Sequence, residues 1–204
     1  MTIGVALGTA AVGLLAGRVV RAISDRFAPR KGPPYAIEIL TAVVFGLVGW
    51  KIRLGPLLPA YLYMAGAGVA LSLIDLRTRR LPDTLTLPSY AVLLTLVTTG
   101  AVISGNGSIV VRLLVGALAA FLLYWGFHRM NTALGAGDVK ASGLAGGVLG
   151  ILGVNAWVLG IGTGLVLAAL CAVALLIRGK GSASTLMPYG PFLFAGCLVG
   201  VLAA

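Results

Sequence analysis

The sequence predicts an all-α fold, a polytopic transmembrane bundle of about eight helices, from three observations. The chain is 59% hydrophobic and only 10% charged, far below the roughly one-quarter charged residues of soluble domains. Its apolar residues fall in long runs, several of which reach the ~20 residues that span a bilayer. Its Lys and Arg residues gather in short clusters between those runs, which is a topology signal. Lipid offers no water to loose backbone groups, so such runs close their hydrogen bonds internally as helices. The 204 residues read as a single transmembrane domain, 1–204, with no room for a separate soluble one.

Eight segments follow in order. Residues 2–22 open the chain. No charge occurs over residues 2–17, and Arg18, Arg21 and Arg26 come after the apolar run. A signal peptide carries its positive charge in front, so this segment reads as a retained span with its N-terminus outside. The second segment, 36–50, is short for a full span and carries Glu38. The third, 56–75, ends at Asp75. The fourth, 86–103, follows Pro82-Asp83, and the fifth, 108–128, ends at His128. The sixth, 139–154, is again short. It follows the turn Gly135-Ala136-Gly137-Asp138 and carries Gly143, Gly146, Gly147, Gly150 and Gly153, small residues that let helices approach closely. The seventh, 156–177, and the eighth, 189–203, hold the two cysteines, Cys171 and Cys197. Neither cysteine has metal-ligand spacing, so both read as packing residues.

The net charge of +10 raises the question of nucleic acid, but its distribution excludes that class of partner. Arg18, Arg21, Arg26, Arg30, Lys31, Arg77, Arg79, Arg80, Arg129, Lys140, Arg178 and Lys180 fall on one side of the predicted membrane. Only Lys51, Arg53 and Arg112 fall on the other. The positive-inside rule then places the richer side in the cytoplasm and both termini outside. Two helices, the fourth and fifth, separate Asp75 from Asp138, so the pair returns to the same membrane face.

Acidic residues are scarce, five in all, and an ionisable group in a membrane helix marks function by default. Asp75 and Asp138 stand out, because two carboxylates close together cannot both ionise easily and form an acid–base pair. In peptide hydrolysis the ionised member activates water. The protonated member polarises the scissile carbonyl and then supplies a proton to the leaving amine. Asp83 suits a helix N-cap, with a direct role in the site as the second reading. Asp25 reads as a solvated loop charge. The arginines around Arg77-Thr78-Arg79-Arg80 read as lipid headgroup contacts first and as guides for an anionic substrate group second. The glycines of the Gly135–Asp138 turn permit positive φ and close backbone approach. His128, the single histidine, has no Cys or Ser partner and reads as an interface residue. No H-E-x-x-H or C-x-x-C appears, so a metal mechanism lacks ligands, and no cofactor is expected.

Three motifs in order carry a resemblance. They are Ile74-Asp75-Leu76-Arg77 leading to Leu81-Pro82-Asp83, then Gly135-Ala136-Gly137-Asp138-Val139-Lys140, then Met187-Pro188-Tyr189-Gly190-Pro191-Phe192. Together with Ala36-Ile37-Glu38-Ile39-Leu40-Thr41-Ala42 they resemble the type IV prepilin peptidases, membrane aspartyl proteases of the G-x-G-D class, from about residue 14 to 200. The resemblance implies that Asp75 and Asp138 are the catalytic carboxylates, with Gly135, Gly137, Lys140, Asp83 and Glu38 as supporting or substrate-binding candidates. It implies a bacterial cytoplasmic membrane protein, acting at the cytoplasmic face. Its partners would be membrane lipid and a prepilin or pseudopilin with a basic leader and an apolar helix, cut just after a glycine. Many family members also methylate the new N-terminus. Here the insert with two C-x-x-C pairs between the first two helices is missing, and the first-helix motif is reduced to Gly17-Arg18-Val19-Val20-Arg21, so N-methyltransferase activity is expected to be absent. Two other readings stay open: a small transporter or proton pathway using the same aspartates, and a catalytically silent assembly homologue. The sequence lacks the paired broken helices of a repeat transporter, and the retained aspartates oppose the silent reading.

Overall fold

A computed structural model describes residues 2–27, 35–130, 134–178 and 188–204. Among the described residues the ordered elements are eight α-helices: α1 Thr2–Phe27, α2 Ala36–Ile52, α3 Leu58–Thr78, α4 Asp83–Ile103, α5 Ser108–Met130, α6 Ala136–Leu152, α7 Val154–Ile177 and α8 Gly190–Ala203. Arg30, Lys31, Lys180 and Met187 lie outside the described residues. Five helices, α1, α3, α4, α5 and α7, are long and apolar enough to cross a membrane. At ~1.5 Å per residue, the 17-residue α2 and α6 and the 14-residue α8 are shorter than the hydrocarbon core.

Three antiparallel helix pairs form the frame, and small residues at their seams set how closely each pair approaches. On α1 the buried residues Thr9, Gly13, Gly17, Val20 and Ser24 recur every three or four positions, which is one helical face. A methyl group at Gly13 would stand 2.7 Å from the Cα of Ala42, and one at Gly17 would stand 2.5 Å from the Cα of Glu38. The α5–α6 seam is built the same way: a methyl at Gly116 would meet the Gly150 Cα at 2.8 Å. In α7 and α8, a methyl at Gly200 would stand 2.8 Å from the Gly160 Cα.

Helix α6 is the centre of the bundle. Residues 141–149 are all buried, a run with no outward face, so neighbours surround it. Its glycines face different partners: Tyr90 of α4 at Gly143, Ala120 of α5 and Trp157 of α7 at Gly146, and Leu113 of α5 at Gly147. Helix α3 is also wrapped, with 61% of its apolar window buried against 22% for α1, α5 and α7. The outer helices turn Leu7, Leu15, Val111, Leu118, Val166 and Leu170 outward. That arrangement suits a lipid solvent, where an exposed apolar side chain carries no hydration cost.

The connections are short and locally determined. Between α4 and α5, the N–H of Asn106 bonds Ala101 O at 2.9 Å and that of Gly105 bonds Val102 O at 3.1 Å. This is a Schellman closure with Gly105 left-handed at φ 62°. The Asn106 side chain then accepts the Ser108 N–H at 3.2 Å and starts α5. Helix α6 passes into α7 through Gly153 alone, at φ 113°, a conformation that favours glycine.

Several boundaries differ from the sequence expectation. Helix α1 continues past residue 22 to Phe27, because its polar last turns find partners. Arg21 pairs with Glu38 of α2. Asp25 is not a loop charge: it lies in α1, where its partly exposed carboxylate accepts Arg77 Nη1 at 2.9 Å through Oδ1. Arg77 thus reaches across to α1. Helix α3 runs three residues past Asp75, where Arg79, left-handed at φ 53°, returns its N–H to the Asp75 carbonyl at 2.8 Å.

Candidate active site

Asp75 sits in the last turn of α3 and is 3% exposed. Its depth follows from the packing of α8, whose first residue, Gly190, donates its backbone N–H to Asp75 Oδ2 at 2.7 Å. A methyl at Gly190 would stand 3.1 Å from that oxygen and 3.2 Å from the Asp75 Cβ. Only a residue without a side chain brings the donor this near. The N–H is one of the four at the start of a helix that have no partner inside it, and a carboxylate there is favoured by the helix dipole.

Asp138 sits in the first turn of α6 and is 8% exposed. It is not the N-cap; Gly135 is. The Asp138 N–H bonds Gly135 O at 3.0 Å, and Asp138 Oδ2 accepts the Gly135 N–H at 3.0 Å, an exchange like the capping box. Gly135 has φ −72°, so this turn does not use the positive φ that its sequence permits. Close approach is the reason for Gly137: a methyl there would meet the Leu81 Cβ at 3.0 Å and Leu81 O at 3.2 Å. The segment that follows Asp75 therefore rests on the turn that precedes Asp138.

Both aspartates line one cavity of about 590 Å³, together with Arg79, Arg80, Leu81, Pro82, Asp83, Gly135, Ala136, Gly137 and Lys140. The cavity has a mixed polar and apolar lining and opens on the end of the bundle where α3 stops and α4 and α6 begin. Asp83 does not cap α4. Pro82 holds the N-cap place with no side-chain cap bond, and the Asp83 carboxylate takes Lys140 Nζ at 2.8 and 2.7 Å. This pair ties the start of α4 to α6, and Tyr90 OH adds a hydrogen bond to Lys140 O at 2.6 Å.

Of the sequence candidates, Asp75, Asp83, Gly135, Gly137, Asp138 and Lys140 thus meet around one space. Glu38 does not line it. It is buried in α2 against Gly17 and paired with Arg21. His128 bonds Leu134 O at 2.6 Å through Nδ1, joining the end of α5 to the approach of α6. The sequence reading missed three residues beside the site. Gly190 and Tyr189 stood inside a quoted motif without a role. Tyr124, wholly buried on α5, bonds the Tyr189 hydroxyl at 2.6 Å and left no sequence signal, since a tyrosine in an apolar helix looks like any packing aromatic.

Such an arrangement presents two carboxylates to one water-accessible space, with fixed backbone donors holding one oxygen of each. It is a geometry for acid–base work on a substrate that enters from the bundle end. Comparison with known proteins places the chain in a family. The model of the type IV leader peptidase family matches residues 61–203, a stretch that contains both aspartates. A prepilin leader peptidase/N-methyltransferase of Pectobacterium carotovorum subsp. carotovorum is 32% identical over 171 residues, which is 81% of this chain and 59% of the relative. Proteins of the same description from Dickeya chrysanthemi and Neisseria gonorrhoeae are 36% and 32% identical, each over 56% of this chain and 41% of the relative. The chain therefore spans little more than half the length of the first of these relatives. No solved structure matches it significantly. With most of its length matched by the family model, from the third helix to the last, the chain belongs to the type IV leader peptidase family.

Proposed function

We propose that this protein is an intramembrane aspartyl endopeptidase that removes the basic leader from prepilin or pseudopilin substrates at the cytoplasmic membrane face. Asp75 and Asp138 form its carboxylate pair. The observation that carries this reading is that both carboxylates are buried yet open on one cavity. In that pair one carboxylate is ionised and takes a proton from water, whose oxygen attacks the scissile carbonyl. The other is protonated, polarises the carbonyl oxygen, and its proton reaches the leaving amine as the C–N bond breaks. The backbone N–H groups of Gly190 and Gly135 hold the carboxylates in orientation through both steps.

The supporting residues act through this frame. Gly137 lets Leu81 close on the Asp138 turn, Asp83 and Lys140 hold α4 to α6, and Glu38 with Arg21 clamps α1 to α2. Twelve basic residues on the site's side of the sequence topology support a cytoplasmic orientation. N-methyltransferase activity is absent in this reading, supported by a sequence whose two cysteines lie far from each other in apolar helices.

The test is co-expression with a prepilin that carries a basic leader ending in glycine, read by gel mobility. Asp75→Asn and Asp138→Asn should each abolish the shift while the protein still inserts in the membrane. Full cleavage by either variant sinks the assignment. Mass spectrometry of the mature N-terminus reads methylation in the same sample.

A further inference from the structure

We propose that Tyr124 and Tyr189 form a positioning bridge that holds Asp75 in register with Asp138; this rests on the reading of the two aspartates as a working pair. Both rings are buried, Tyr124 fully and Tyr189 at 7% exposure. Their hydroxyls bond at 2.6 Å, and their rings meet edge to face with centroids 5.5 Å apart. The packing alone would be made by two phenylalanines. Two buried hydroxyls are a cost unless bonded, so their presence calls for a role that the rings do not fill.

The position of the bond supplies that role. Tyr124 belongs to α5, which is locked to α6 along the Gly116–Gly150 seam and by Ser142 Oγ donating to Ala120 O at 3.3 Å. Helix α6 carries Asp138. On the other side, Tyr189 is the residue before Gly190, whose N–H holds Asp75 Oδ2. The bridge therefore closes a loop of contacts from Asp138 through α6 and α5, across the two hydroxyls, to Gly190 and Asp75. Loss of the bond would leave the start of α8 free to shift over Asp75, and catalytic geometry tolerates little displacement.

The experiment uses the full chain in detergent or nanodiscs, with Tyr124→Phe, Tyr189→Phe and the double variant. A synthetic peptide with a basic leader, a glycine and an apolar stretch serves as substrate. Tyr61→Phe is the control, since it removes another buried hydroxyl, bonded to Val148 O at 3.3 Å, away from the cavity. Each single variant should lower kcat about tenfold with KM unchanged, the cost of a small misplacement of the reacting group. The double variant should stay about tenfold down rather than a hundredfold, because one bond is lost in every case. Backbone amide exchange at Gly190 should speed up about tenfold in all three, which reports the loosened N–H directly.

A merely structural hydroxyl pair gives a different pattern. Replacing both partners by apolar rings is then nearly neutral, and the double variant recovers wild-type kcat and exchange. That recovery overturns the proposal, as does unchanged Gly190 exchange in the single variants or an equal loss of kcat in Tyr61→Phe. If the wild-type protein cleaves no such peptide, the peptidase reading fails, and amide exchange alone still decides whether the bridge holds Gly190.

Discussion

Gly190→Ala is the sharpest perturbation of the candidate site, because it adds one methyl group at a known place. That methyl would stand 3.1 Å from Asp75 Oδ2, 3.2 Å from its Cβ and 3.4 Å from its Cγ. All three contacts are at or below ordinary van der Waals distance, so the carboxylate must retreat by a few tenths of an ångström or α8 must lift. Either movement lengthens the 2.7 Å bond from the Gly190 N–H. A hydrogen bond to a charged group is worth about 1.5–3 kcal/mol, and weakening it by about half leaves a loss near 1 kcal/mol. Misplacing a reacting group costs more than the bond itself, up to about a hundredfold in rate per ångström. The expectation is a fall in kcat of about ten- to thirtyfold with the thermal midpoint lowered only slightly. Peptide cleavage followed by mass spectrometry gives kcat and KM, and a melting curve in the same detergent gives stability. Wild-type kcat in Gly190→Ala would show that the N–H contact does not orient Asp75, and the account of the site would have to be rebuilt.

Two further outcomes concern the frame. Gly153→Ala places a side chain at φ 113° and should destabilise the protein by about 1–3 kcal/mol, read as a lower thermal midpoint; since Gly153 is at the far end of α6, kcat at low temperature should hold. Arg21→Met removes the partner of Glu38, whose side chain is 9% exposed, and should cost about 1–3 kcal/mol by leaving a carboxylate unpaired. Arg21→Met with Glu38→Leu should recover most of that loss, and no recovery would mean that the pair contributes through packing rather than charge.

The sequence made the helix count legible, because each apolar run is long enough to be counted and too long to be a strand. It also exposed Asp75 and Asp138, because a carboxylate beside such runs has few structural excuses. What stayed hidden depends on pairings across the fold. Asp25 looked unpartnered because its partner, Arg77, is 52 residues away. Asp83 looked like a cap because it follows a proline and precedes a helix, yet Lys140 claims its carboxylate. Gly135 looked suited to positive φ, although its backbone is extended and its value lies in the N–H it gives Asp138. Local patterns report what a residue can do alone; these three are settled by what another helix brings to them.

The scarcity of acid and the abundance of glycine then turn out to have one cause. A carboxylate can be kept at the end of a membrane bundle only if protein, not lipid, surrounds it and backbone donors reach it. The two aspartates sit on α3 and α6, the helices most enclosed by others. Enclosure on every side requires neighbours at short range, and the glycines of α6, with those of α5, supply it. The same shortness at Gly190 and Gly135 delivers an N–H to each carboxylate. Adding bulk along the α5–α6 seam would therefore disturb the site even where no altered residue touches it, because Asp138 is placed by the depth of its helix as much as by its own turn.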